Sequence, residues 1–265
     1  MAAIRHRTAW TTATLVALLA AAGCDPKPAS NAPPASPLAP LQHSRQVVLV
    51  IADGWDSTTA TLVCYARAGV DQPWTVAGQR IPVTLGRTGL AWGRGLHGTA
   101  PLPGPVKCEG DGKAPAGVFA LPLVFGYAEK AKSGEIKLPY LALTAEIVGV
   151  DDANSRLYNQ IVQWKPGQAR DWDSAETMRR ADGLYEWGVV VGHNTSPVVP
   201  GAGSCIFMHI WRGPDKPTAG CTAMARPHVL DLVKWLDPQA QPVLVQLPRE
   251  AYDLLEGAWN LPPSP

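Results

Sequence analysis

The sequence predicts a mainly β fold with a few short helices, and three observations carry that prediction. Apolar residues recur in short alternating runs of strand length rather than at the 3.6-residue spacing of long amphipathic helices. Those runs are punctuated by turn-forming residues, with 25 Gly and 26 Pro in 265 residues. Ten Trp supply bulk to a loop-rich fold whose clefts suit a carbohydrate or a peptide. The length allows one full-sized domain and a targeting sequence.

Residues 1–23 read as a secretory signal: Arg5 and Arg7 precede the apolar run Leu15-Val16-Ala17-Leu18-Leu19-Ala20, which is too short to span a bilayer. The ending Ala21-Ala22-Gly23-Cys24 resembles a lipobox with Ala21 where Leu is usual, so Cys24 is the expected lipidation site. Asp25 beside it resembles a signal for retention at the inner membrane. Residues 24–43, rich in Pro and Ala, read as an extended tether from a membrane, leaving 44–265 as the expected folded domain. The expected location is exported and periplasmic, anchored through lipid. Without its first 23 residues the chain holds 21 basic and 22 acidic side chains, a balance that argues against nucleic acid as a partner.

From Gln46 the pattern becomes a meander. Strands are expected at 47–52, 59–67 and 81–85, separated by Asp53-Gly54 and Gly69-Val70-Asp71. His97 follows in a Gly-rich loop, either as a solvated turn residue or as part of a cleft. Glu109 to Lys113 is no phosphate loop, because Ala114 stands where a hydroxyl would meet magnesium. Further strands are expected at 118–127 and 136–150, the latter with an edge at Pro139. Asp151-Asp152 reads as a solvated turn without a metal partner. Asp173-Ser174-Ala175-Glu176 has capping-box spacing and predicts a short helix to about Asp182. A strand at 187–194 then pairs with the next one, setting His193 near Cys205 and 187–189 beside His209. After Cys221, a helix stripe of Val229, Val233 and Leu236, broadened by Leu230 with Pro227 in the first turn, packs behind the thiol.

The chemistry concentrates between Ser204 and Met224. Ile206, Met208 and Ile210 alternate with Cys205, Phe207, His209 and Trp211, so one row enters a core and the other faces a cleft. Gly213-Pro214-Asp215-Lys216-Pro217 must bend the chain back, returning Gly220 and Cys221 toward the His209 imidazole. A thiol beside a histidine is the pair that nucleophilic acyl transfer needs. Cys205 lies roughly 13 Å from His209 along an extended strand at about 3.3 Å per residue, which leaves Cys221 as nucleophile. Gly220 lets backbone approach a substrate, and amides near Ala219, Gly220 and Cys221 are oxyanion candidates. The competing reading is a buried cysteine and a core histidine flanking a turn.

His209, the following loop and Thr218-Ala219-Gly220-Cys221 resemble the active-site signature of the L,D-transpeptidase (YkuD-type) family. Lys107 to Phe119, with Pro115-x-Gly117-x-Phe119, is similar to a second family motif, and the likeness spans about Leu49 to Trp235. It departs at Ala219, where the family has a second His, and at Ala223, where it has Arg or Asn. The resemblance implies a β-sandwich, attack by Cys221 with His209 as base on peptidoglycan stem peptides, transfer to an amine, and no metal or cofactor. Hydrolysis at the same bond type is the second outcome, and a cell-wall-binding lipoprotein without chemistry the third. Arg212, or Arg226 after it, takes the place of the missing basic residue; Trp211, Thr218, His193 and His97 complete the substrate-binding candidates. Disulfide pairing is left open, with Cys64 to Cys108 and Cys108 to Cys205 as rivals.

Overall fold

Strand β1 (Gln46–Ala52) is buried at every position, because it is sandwiched within the sheet. It pairs in parallel with β15 (Val243–Pro248) and antiparallel with β2 (Thr59–Ala66). Central strands covered on both faces read as continuous apolar runs, as Val47 to Ile51 do. The computed structural model describes residues 40–98, 102–129 and 134–264, all within one compact unit. The expected signal at 1–23 and lipidation site Cys24 lie outside them.

The remaining strands in chain order are β3 (Thr75–Val76), β4 (Ile81–Thr84), β5 (Leu90–Trp92), β6 (Ala114–Ala120), β7 (Leu123–Gly126), β8 (Tyr140–Ala142), β9 (Ile147–Val150), β10 (Gln160–Gln163), β11 (Ala175–Thr177), β12 (Trp187–Val190), β13 (Phe207–Ile210) and β14 (Thr222–Met224). Twelve strands form one mixed sheet in the order β5-β6-β15-β1-β2-β4-β14-β13-β12-β7-β8, with β3 added to β2. Val48 of β1, Phe119 of β6, Val189 of β12 and Met208 of β13 share one buried cluster. A sheet whose distant strands share an interior must fold over on itself, which fits the expected sandwich. A separate sheet, β10-β9-β11, carries Glu176, which lines the cleft described below. Helix α1 (Arg226–Trp235) buries Val229, Leu232 and Val233, starts with a proline in its first turn, and packs on β12 and β13. Helix α2 (Arg249–Trp259) buries Ala251, Tyr252, Leu255 and Trp259.

Several expectations change. The capping-box segment is not a helix: Ala175–Thr177 is strand β11, paired with β9, and tertiary pairing overrides the local signal. Of the expected tether at 24–43 only 40–43 lie among the described residues, and there Leu41 is buried and the Arg67 guanidinium donates to the carbonyls of Leu41 and Ser44. Strand 118–127 breaks at Pro122 into β6 and β7, and the expected strand 136–150 divides into β8, at a sheet edge just past Pro139 as expected, and β9, in the separate sheet. Cys64 and Cys205 are free thiols, so neither of the proposed pairings with Cys108 forms.

His97 and His193 are structural. His97 is neither solvated nor in the cleft; its Nδ1 accepts from the Val118 amide at 3.1 Å, and its ring packs edge-on to Phe119. Gly117 makes room for it: at φ +135° a Cβ there would lie 2.1 Å from His97 Cε1. His193 Nδ1 accepts from the Arg94 amide at 3.2 Å, and its Nε2 lies 3.0 Å from the Ala202 carbonyl. The buried pair braces the loop beneath Gly93 instead of binding substrate.

Burial lowers the pKa of His97 and brings that of His193 down to about 3. Both imidazoles are neutral in the folded chain, whereas the unfolded chain takes up protons near the usual histidine value of about 6.5. Their contribution to stability is therefore complete above about pH 6.5 and is lost as pH falls toward the folded values. Thermal melts should show the melting temperature already falling between pH 6.5 and 5, above the range in which most carboxylates titrate. A flat profile across that window would contradict the assignment.

Candidate active site

The register of two parallel strands builds the site. In the β13–β14 pair, His209 stands opposite Ala223 and Met208 opposite Thr222. Cys221 precede Ala223 by two positions, so the alternation of side chains puts it on the same face as His209. One strand spacing of about 4.8 Å and two residues of about 3.3 Å separate their backbones, and among the described residues no hydrogen bond joins the thiol to the imidazole. On the other side β12 pairs with β13, Gly188 opposite His209, which is the expected register.

The loop between the strands is anchored at its end. Thr218 donates its amide to Leu85 O and accepts from the Arg87 amide, each at 2.8 Å. Its hydroxyl donates to Cys221 O at 2.6 Å and accepts from the Gly220 amide at 3.0 Å. The Gly220 amide is thus engaged inside the turn, which removes it from the expected oxyanion donors. The glycine is still required, since its φ of +153° and a Cβ position 3.0 Å from Lys113 O disfavour a side chain. Behind the thiol, Thr222 Oγ1 donates to Gln246 Oε1 at 2.7 Å, and Gln246 Nε2 donates to Pro115 O at 2.9 Å. This buried strut ties β14 to β15 and β6.

Cys221 lies among Phe125, Phe207, Met178 and Tyr185. The Phe207 amide donates to its Sγ at 3.3 Å, and the thiol faces Cys205 O at 3.6 Å. Cys205 aims that carbonyl with a φ of +52°, held by its amide's bond to Asn159 Oδ1 at 2.9 Å. Burial pushes the Cys221 pKa up to about 12, despite the Phe207 amide and the charges of Lys107 and Arg180. His209 is likewise buried, its pKa lowered by desolvation to about 4. Its Nδ1 lies 2.7 Å from Ile210 O, and a carbonyl only accepts, so Nδ1 carries the proton and Nε2 holds the basic lone pair. At neutral pH the two groups are a neutral thiol and a neutral imidazole.

Both residues line a cleft of about 540 Å³. Trp211, Arg212, Thr218, Ala219, Gly220 and Ala223 line it too, whereas His97, His193 and Arg226 do not. Arg226 instead pairs with Glu186 at 2.5 Å. Asp151 also faces the cleft, contrary to the solvated turn expected, although neighbouring Asp152 behaves as expected by capping Asn154 and Asp173. The sequence reading missed Glu176, Arg180 and Tyr185. The Tyr185 ring meets His209 edge-on at 5.1 Å between centroids, and its hydroxyl donates to Glu176 Oε1 at 2.6 Å. Arg180 bonds that same oxygen at 3.3 Å and Asp182 at 2.6 Å, and Arg212 lies 3.6 Å from Asp182. Burial raises the Glu176 pKa against the opposing effects of Tyr185 and Arg180. The capping-box misreading hid Glu176, since alternation along β11 rather than a helical period places it.

Two measurements follow from this geometry. Alkylation of Cys221 by iodoacetamide should accelerate about tenfold per pH unit from pH 6.5 to 9 without levelling, because the thiolate fraction grows tenfold per unit below the pKa; a plateau beginning near pH 5 would instead indicate a preformed thiolate–imidazolium pair. Gln246→Leu strands the Thr222 hydroxyl and the Pro115 carbonyl, and urea unfolding should show a loss of about 1–3 kcal/mol for each stranded group.

A family model described as the L,D-transpeptidase catalytic domain, YkuD, matches residues 57–245. Comparison with curated proteins and with solved structures gives no match.

Proposed function

Since the chain belongs to the YkuD family of L,D-transpeptidase catalytic domains, whose members act on peptidoglycan peptides, we propose that it is a cysteine acyltransferase with Cys221 as nucleophile and His209 as base. The observation that carries this reading is the shared face of the two residues inside a cleft of about 540 Å³, a volume suited to a peptide. His209 Nε2 takes the thiol proton as sulfur attacks the carbonyl between the L-centre of diaminopimelate and the terminal D-alanine. The neutral starting pair makes this a concerted general-base step, with charge forming only as the reaction proceeds. The Cys221 amide, with that of Ala219, is proposed to meet the oxyanion.

Collapse of the tetrahedral intermediate breaks the C–N bond, and D-alanine leaves with the proton returned by His209. The resulting thioester is attacked by an amine that gives up its proton to His209; the C–S bond then breaks, Cys221 sulfur leaves and takes that proton back, and a 3-3 crosslink is formed. Arg212, exposed at the cleft rim, is positioned to attract a substrate carboxylate. Hydrolysis is the second reading, because Ala219 and Ala223 line the cleft with methyl groups where the family signature has His and Arg or Asn, which leaves space for water. Placement outside the cytoplasm on a lipid anchor at Cys24 completes the proposal and rests on the sequence alone.

A carbapenem should form a covalent adduct with the full chain. Mass spectrometry should find it abolished in Cys221→Ala and formed roughly 10²–10⁴ times more slowly in His209→Ala. Incubation with a purified disaccharide tetrapeptide separates the two outcomes, a crosslinked dimer from transfer and a tripeptide from hydrolysis. No adduct, together with retained binding to peptidoglycan, would favour a binding protein.

A further inference from the structure

We propose that Asp151 binds a positively charged amine on the acyl-donor peptide, so that the cleft selects stems whose third residue carries a free ammonium on its side chain. This rests on the reading of Cys221 and its cleft given above. Asp151 follows directly on the last residue of β9 and lines the cleft. Its Oδ1 is withdrawn from solvent, and among the described residues it has no hydrogen-bond partner.

The other carboxylates on this wall differ in that respect. Glu109 Oε2 accepts from the hydroxyls of Tyr158 and Ser204. Glu176 Oε1 accepts from Tyr185 and Arg180. Two of the cations lining the cleft are committed elsewhere, Lys107 to Asp111 and Arg180 to Asp182. A carboxylate oxygen held out of water without a donor is costly to the fold, and a ligand that brings a donor of opposite charge relieves the cost. An ammonium suits the position because it is compact and offers three N–H donors, whereas a neutral amide or hydroxyl leaves the charge uncompensated.

The position relative to the nucleophile also fits. Cys221 Sγ lies 3.6 Å from Cys205 O, and Cys205 Sγ lies 3.8 Å from the carbonyl of Val150, the residue before Asp151. A donor residue with its carbonyl at Cys221 therefore needs only to run its side chain along Cys205 to bring a terminal amine to Asp151. The diaminopimelate side chain ends in such an amine.

Binding tests this apart from turnover. The full chain carrying Cys221→Ser is titrated calorimetrically with a stem tetrapeptide containing diaminopimelate and with the same peptide N-acetylated on the side-chain amine. The free-amine peptide should bind roughly ten- to a hundredfold more tightly, the range of a charge-assisted hydrogen bond. Adding Asp151→Asn should bring that ratio close to one by weakening the free-amine peptide alone. Asp151→Ser is a second variant that should do the same and guards against misfolding of the first. Equal affinities for the two peptides, or a preference that survives both substitutions, overturns the proposal. The β-lactam adduct on the unaltered chain reports separately: its absence with the preference intact defeats the enzyme reading alone, and its presence without a preference defeats the assignment of Asp151 alone.

Discussion

The parallel pairing of β13 with β14 is the constraint on which the rest of the molecule depends. Parallel neighbours cannot be joined by a tight hairpin, so the chain needs the long excursion of residues 211–221, and that excursion is what forms one wall of the cleft. The pairing sets His209 opposite Ala223, and strand alternation then decides that Cys221 shares its face. A shift of one residue would turn the thiol into the opposite side of the sheet. Much of the surrounding structure guards that register: Thr218 pins the end of the loop to Leu85 and Arg87, and the Thr222–Gln246–Pro115 strut fixes β14 from behind.

The same burial that fixes the geometry also decides the chemistry. Removing Cys221 and His209 from water disfavours their charged forms, so the resting site holds its proton on sulfur. The thiol is not left without support: a backbone amide points at its sulfur and a backbone carbonyl faces its proton. The Tyr185–Glu176–Arg180–Asp182 chain brings polar groups close to the imidazole while its aromatic member excludes water from the ring face. The thiol and the imidazole are therefore buried, and the charges stand at the margins of the cleft.

How legible this was depends on the range of the forces involved. Strands β1, β2, β4 and β13, the β12 register and the stripe of α1 are written locally, in alternation, turn residues and helical spacing. The return of Cys221 to the face of His209 is readable because Gly and Pro announce the turn between them. The segment of Glu176 has the local spacing of a capping box, whereas it becomes a strand by pairing with β9, a contact between distant residues. The seats of His97 and His193 depend on glycines and carbonyls many positions away, and nothing in their neighbourhoods of sequence reveals that. Asn159, which holds Cys205, is invisible for the same reason. Helix α2 is a different case: Ala251, Tyr252, Leu255 and Trp259 have plain helical spacing, a local signal that does announce the element.

The clamp at Leu41 has a mechanical consequence. Leu41 is buried, and Arg67 grips its carbonyl and that of Ser44 just ahead of β1. A force drawing on the polypeptide ahead of residue 40 would enter the domain there and pass along β1, flanked by β15 and β2. The hydrogen bonds of those two ladders would then be loaded together in shear, rather than peeled one after another, so the entry point is built to resist traction.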